Sequence, residues 1–206
     1  MTRTAVVAAT LVLWLNGTAQ ATPITGSLWA VNEAVAQDAI PANVPLDAPD
    51  VTFKVNALDF NPLHIGQQTV YQWLVSGGAF NIIGSPDALN TRMEEPGRMG
   101  TLVEFLGDIT VTTGDTFVVT HDDGLTLIIG ATNLGFPSGP AGFPYDVSTR
   151  IYAGPSGTFP FQLVYADCCG SPAYLRVEVV PEPTTLALLG SGLALAGLRR
   201  RFQRGR

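Results

Sequence analysis

An antiparallel β-sandwich, all-β in class, is the fold that residues 22–180 predict, and three observations predict it. Seven or more short stretches alternate apolar and polar residues with the period of two that belongs to a strand. Glycine, proline, asparagine and aspartate separate them, with 22 glycines and 15 prolines in a chain of 206 residues. No long stretch carries the 3.6-residue period of an amphipathic helix. With 46% hydrophobic and 14% charged residues the chain has the material for a core. The roughly 160 residues between its two ends are the size of one domain.

Taken in order, residues 30–40 suggest a short helix. Residues 51–56 set Val51, Phe53 and Val55 against Thr52, Lys54 and Asn56, so one face can pack on a second sheet. Residues 68–75 read as a further strand. Residues 80–100 are mixed in polarity and carry Arg92, Glu94, Glu95 and Arg98, which suits a surface loop with a turn of helix. Residues 102–112, 116–121 and 125–129 read as strands. Residues 133–157 are rich in Gly, Pro and Ser, and so long a connection is either a binding loop or hides a strand near 147–152. Residues 159–165 place Phe159, Phe161, Leu163 and Tyr165 on one face. In 173–180, Ala173, Leu175, Val177 and Val179 alternate with Tyr174, Arg176 and Glu178.

The two ends read as address labels. Residues 1–21 carry Arg3, an apolar run over 5–15, and then Ala19-Gln20-Ala21, whose small side chains fit a signal-peptidase site. Eleven apolar residues make only about 16 Å of helix against a hydrocarbon core of roughly 30 Å, so this is an export signal rather than an anchor. At the other end, Pro181-Glu182-Pro183 breaks the preceding strand, an uncharged run over 184–198 follows, and Arg199, Arg200 and Arg201 close it. The arginines stay on the cytoplasmic side by the positive-inside rule, which leaves the body outside. An apolar helix of about 22 Å is marginal for a permanent span, so inner-membrane insertion is expected to be transient. This end, residues 181–206, resembles the PEP-CTERM sorting signal of Gram-negative bacteria: tripeptide, short apolar helix and arginine cluster occur in the required order. The resemblance implies recognition by an exosortase-type membrane protease, removal of the tail, and delivery to the cell surface or an exopolysaccharide matrix. The plain alternative for this end is an ordinary tail anchor.

Charge is unevenly distributed. All seventeen acidic residues lie between Glu33 and Glu182, where only Lys54, Arg92, Arg98, Arg150 and Arg176 oppose them, a balance of −12. Nucleic acid is therefore excluded as a partner of the body, and a cation is favoured.

The signatures of catalysis are missing: no Gly-x-Ser-x-Gly elbow, no phosphate-binding glycine loop, no His-Glu-x-x-His helix. With His64 and His121 as the only histidines, a histidine relay has little material, and a non-enzymatic protein is expected. The informative segment is Thr120-His121-Asp122-Asp123-Gly124-Leu125 between two apolar strands. Asp-Gly between strands is the chemistry of a tight hairpin turn. Two adjacent carboxylates admit another reading, because neighbouring strand residues point to opposite faces and reach one cation only if the backbone leaves extended geometry. A cis Asp-Asp peptide would achieve this at a cost of about 3–4 kcal/mol, offset by a bound ion.

The segments 117–130, 157–167 and 173–177 together resemble the sugar-binding β-sandwich first named from the anthrax protective antigen. Its yeast flocculin and fungal adhesin members bind Ca²⁺ through two adjacent aspartates joined by a cis peptide, and the ion in turn ligates sugar hydroxyls. The resemblance implies that Asp122 and Asp123 are metal ligands, that Asp167 takes the place of an asparagine ligand after the later strand, and that a carbonyl of Cys168 or Cys169 serves as the main-chain ligand. The loop then offers Gly170-Ser171-Pro172 where the flocculin loop has an aromatic residue. Oxygen donors of this kind suit Ca²⁺. His121 lacks the second histidine or thiols of a transition-metal site and is expected to be a strand-face residue beside the turn.

Cys168 and Cys169 are the only cysteines, so a vicinal bridge, two free thiols and an intermolecular link all stay open for an exported chain. The leading expectation is a calcium-dependent carbohydrate-binding domain displayed on the surface or in the matrix. A structural matrix protein without a ligand site is the alternative. An enzyme accessory is a third reading for which the sequence supplies no hydrolase.

Overall fold

The structure, a computed structural model, describes residues 22–61, 63 and 66–181. The expected signal peptide over 1–21, the apolar run and arginines of 182–206, and His64 lie outside the described residues. Eleven strands and three short helices follow one another: β1 (Ile24–Asn32), α1 (Glu33–Ala36), β2 (Val51–Val55), β3 (Asp59–Phe60), α2 (Val70–Ser76), β4 (Phe80–Gly84), α3 (Pro86–Asn90), β5 (Met99–Val111), β6 (Thr116–Asp122), β7 (Leu125–Ile129), β8 (Thr132–Asn133), β9 (Asp146–Ile151), β10 (Gly157–Asp167) and β11 (Tyr174–Val180). Every strand pairing is antiparallel. Seven strands form one sheet in the order β4-β2-β1-β5-β10-β7-β8, and four form the other in the order β3-β11-β6-β9. The two sheets make the expected antiparallel sandwich.

The core between them holds Leu28, Phe53, Phe60, Phe105, Phe117, Val119, Leu163, Tyr165 and Leu175, all buried. Burying each such aliphatic or phenylalanine side chain contributes about 1.5–3 kcal/mol. Phe60 stacks on Trp73 with ring centroids 4.1 Å apart, and Trp73 stacks on Tyr165 at 5.7 Å. A second, smaller cluster of Ala36, Ala39, Leu102, Val164, Ala166 and Cys168 lies under the α1 segment. The last residues of β10 are therefore buried on both faces, which takes Asp167 and Cys168 out of solvent.

Four sequence expectations change. Residues 68–75 contain a helix, not a strand: Thr69 Oγ1 accepts from the Gln72 amide at 3.2 Å and Gln72 Oε1 accepts from the Thr69 amide at 3.0 Å. This reciprocal capping box starts α2, and Val70, Trp73 and Leu74 bury one helical face at spacings of three and four. β1 lies where the sequence shows no strand pattern, because Thr25, Gly26 and Ser27 blur its alternation; a Cβ at Gly26 would collide with the Phe53 ring. β4 falls in the stretch read as loop because it is a margin strand with no fully buried residue. The strand near 147–152 exists as β9, which shortens the long connection.

Candidate functional site

β6 and β7 do not form a hairpin. β6 belongs to the four-stranded sheet and β7 to the seven-stranded one, so Asp122-Asp123-Gly124 is a step from one sheet to the other. The hairpin-turn reading is thereby overturned. The step is stitched to the end of β10: the Asp123 amide donates to the Ala166 carbonyl at 3.2 Å, and the Ala166 amide donates to the Gly124 carbonyl at 3.0 Å. The Leu125 amide donates to the Pro137 carbonyl at 2.9 Å, which draws in the 134–146 connection. Gly124 has no room for a side chain, since a Cβ there would run into the backbone of Ser138 and Gly139. The peptide between Asp122 and Asp123 is cis.

The neighbours of the pair fix its carbonyls. Asp122 stands opposite Tyr174 across β6 and β11, and its carbonyl accepts from the Tyr165 hydroxyl. That hydroxyl in turn accepts from the Tyr174 amide at 3.1 Å. His121 is fully buried, with Nδ1 2.5 Å from the Asp123 carbonyl and Nε2 3.1 Å from Ser148 Oγ. Burial lowers its pKa, so the neutral ring donates from Nδ1 to the carbonyl and accepts at Nε2 from the serine. It positions the aspartate step rather than binding a metal.

The Asp123 carboxylate is gripped from two sides. Oδ1 accepts from the Ala141 amide at 3.0 Å, and Oδ2 accepts from the Cys168 amide at 2.7 Å. Burial raises its pKa to about 6, opposed by those two hydrogen bonds. Burial and the adjacent Asp123 charge raise Asp122 further, to about 8. Asp167 is 0% exposed, neither carboxylate oxygen has a hydrogen-bond partner among the described residues, and its pKa is pushed well up by burial and then by the charges of Asp123, Glu94 and Asp122.

Glu94 is a member of this buried acidic set that sequence reading placed on the surface. It is 2% exposed; Oε1 accepts from Gln67 Nε2 at 3.3 Å and Oε2 has no hydrogen-bond partner. Its charge is felt at Asp122, Asp123 and Asp167 alike. No local pattern announces it. The segment that carries it is pulled inward because the Met93 amide donates to the Gln68 carbonyl at 3.0 Å and the Met93 carbonyl accepts from the Thr101 hydroxyl.

Cys168 and Cys169 are bonded to each other, which leaves the free-thiol and intermolecular readings aside. Cys168 is buried and Cys169 exposed. Both sulfurs and one Asp123 carboxylate oxygen lie within 4.8 Å of one another, the one such group of three among the described residues. A disulfide carries no thiolate, so this group is no soft-metal site. Asp122 and Asp167 belong to the same buried acidic neighbourhood but both stand outside that tight group. Pro181 is exposed at the end of the described residues, whereas Glu182, Pro183, Arg199, Arg200 and Arg201 lie outside them.

The sequence matches the PEP-CTERM protein-sorting motif over residues 179–201, and this motif marks the chain for export and sorting to the cell surface. No curated protein matches the chain. In structure the chain is similar to a PA14 sugar-binding domain from an RTX adhesin, with 20% identity and a TM-score of 0.54, over 78% of this chain and 90% of that one. It is also similar to the PA14 domain of the MpAFP antifreeze protein, with 14% identity and a TM-score of 0.51, over 82% of this chain and 88% of that one. The body therefore has the β-sandwich fold of PA14 domains. Among the described residues no helix is long and apolar enough to cross a membrane.

Proposed function

We propose that this chain is a non-enzymatic surface or matrix protein whose sandwich binds carbohydrate through Ca²⁺ held by Asp122, Asp123 and Asp167, and whose tail is processed by an exosortase-type protease. The observation that carries the reading is the burial of several carboxylates around one step between the sheets, with oxygens of Asp167 and Glu94 lacking any hydrogen-bond partner. Buried carboxylates are stable when they are protonated, paired with cations or bound to a metal. Among the described residues no lysine or arginine forms an ion pair with Asp122, Asp123 or Asp167, and the body as a whole is strongly acidic. An all-oxygen donor set, completed by a carbonyl of the Cys168-Cys169 loop, fits a hard cation that takes six to eight oxygens. The likeness to a domain described as sugar-binding supports a glycan as the ligand that such an ion would orient.

One observation favours the alternative, a structural matrix protein without a ligand. Both oxygens of Asp123 already accept backbone amides, as those of a purely structural aspartate would. Chromatography separates the two. On resins bearing mannose, galactose, glucose or fucose, the purified protein is retained on at least one in calcium buffer and released by EDTA. Passage through all four, with or without calcium, leaves the structural reading standing.

A further inference from the structure

Of the nine described phenylalanines, six are buried and two half-buried; Phe143 alone is exposed, at 84%. Leaving that ring in water forgoes the stabilisation that burial would have contributed. Its position is specific. The backbone over 141–145 makes a short arch with one foot on Asp123 and the other on the residue paired with Asp122. One foot is the Ala141 amide, 3.0 Å from Asp123 Oδ1. The other is the Tyr145 ring, whose centroid lies 5.7 Å from that of Tyr174, the residue paired with Asp122. The Gly142 amide closes the arch on Asp146 Oδ2 at 3.2 Å. Phe143 sits at its crown. On the other side of the Asp123 carboxylate, the amide of Cys168 holds Oδ2 and the exposed Cys169 presents the disulfide.

From this arrangement we infer that Phe143 is the specificity-determining residue for the glycan, taking the apolar C–H face of a pyranose whose hydroxyl edge is directed to the aspartate step. The inference rests on the carbohydrate reading above and deepens it. A pyranose is amphipathic: hydroxyls around its edge, C–H groups on its faces. An aromatic face, negative at its centre, attracts those C–H groups while the polar edge remains free for oxygen ligation. A protein partner is a poorer fit, because a stable interface buries roughly 800 Å² on each side. The exposed apolar side chains here are few: Phe143 on the arch and Val147 at the start of β9, beside Gly142, Pro144 and Asp146.

The test uses methyl α-mannoside, methyl β-galactoside and methyl α-glucoside as probes, with proton NMR of each glycoside and calcium titration run in parallel. Wild-type protein in calcium should shift the C–H protons of at least one glycoside upfield by the ring current. Phe143→Ala should keep the wild-type calcium affinity, abolish the upfield shift and weaken that glycoside about fivefold or more. Phe143→Trp should restore both. If Phe143→Ala binds the glycoside as the wild type does, or loses calcium along with it, the stacking role is wrong while the carbohydrate reading survives. If the wild type binds none of the three in calcium, the stacking role is overturned, and passage through all four sugar resins as well shows that the carbohydrate reading has failed with it.

Discussion

Calcium at a thousand times its dissociation constant is expected to add about 4 kcal/mol to the folded state, raising the melting temperature of a domain this size on the order of 10 °C. Asp122→Asn should remove most of that gain and yet leave the calcium-free protein as stable as before, or more so. The reasoning is electrostatic. In the absence of a cation, burial and the Asp123 charge oppose ionisation of Asp122, so folding at neutral pH must take up a proton there, and a neutral amide relieves that cost. With the cation present the same carboxylate is a charged ligand, and its loss weakens the site. The opposite signs in the two buffers distinguish a ligand from a merely structural aspartate. A general destabilisation would lower the melting temperature equally with calcium and with EDTA.

The pH dependence of the calcium-free protein should run against the common pattern for acidic side chains. Asp122 and Asp123 have folded-state pKa values raised to about 8 and about 6, and Asp167 is raised as well, all above the 3.8 of an unperturbed aspartate. Between pH 4 and pH 8 the folded chain therefore holds more protons than the unfolded one, and stability falls as the pH rises through that window. In EDTA, thermal melts should give a lower melting temperature at pH 8 than at pH 5. A bound cation stabilises the ionised forms, so the fall should be cancelled in saturating calcium, and calcium affinity should increase from pH 5 to pH 8 with release of protons. A calcium-free protein that gains stability from pH 5 to pH 8 would show that these carboxylates are ionised without help.

Much of the fold was legible because the core of a sandwich writes itself into alternation. β2, β5, β6, β7, β10 and β11 all lie where period-two patterns put them, since each presents one face to the same apolar layer. The exceptions have local causes. α2 was mistaken for a strand because Val70, Trp73 and Leu74 suit either structure; the Thr69 and Gln72 capping box was the signal that decides it. β1 pairs with β5 over residues 25–32 and with β2 over residues 24–28, and that pairing outweighs the glycine and polar residues that hide it.

Within the site, the Asp122-Asp123 step was readable from the doubled carboxylate before Gly124, and the cis peptide occurs where that reading asked for it. What no linear pattern carried was the company it keeps. Ala141 reaches Asp123 through a tertiary hydrogen bond, and Glu94 is buried near enough for its charge to be felt at all three aspartates, both from segments that look like surface loop. Glu94 in particular stands in a run of charges with nothing to mark it as buried. The pairing of Cys168 with Cys169 was also beyond sequence, because each cysteine had three fates of equal chemical sense.

Isothermal calorimetry of calcium into the EDTA-treated and dialysed protein at neutral pH tests the central claim most directly. The account predicts saturable binding of one ion per chain in the wild type, and its loss in both Asp122→Ala and Asp167→Ala. A wild type that gives no heat beyond dilution, or variants that bind calcium as tightly as the wild type, would contradict it.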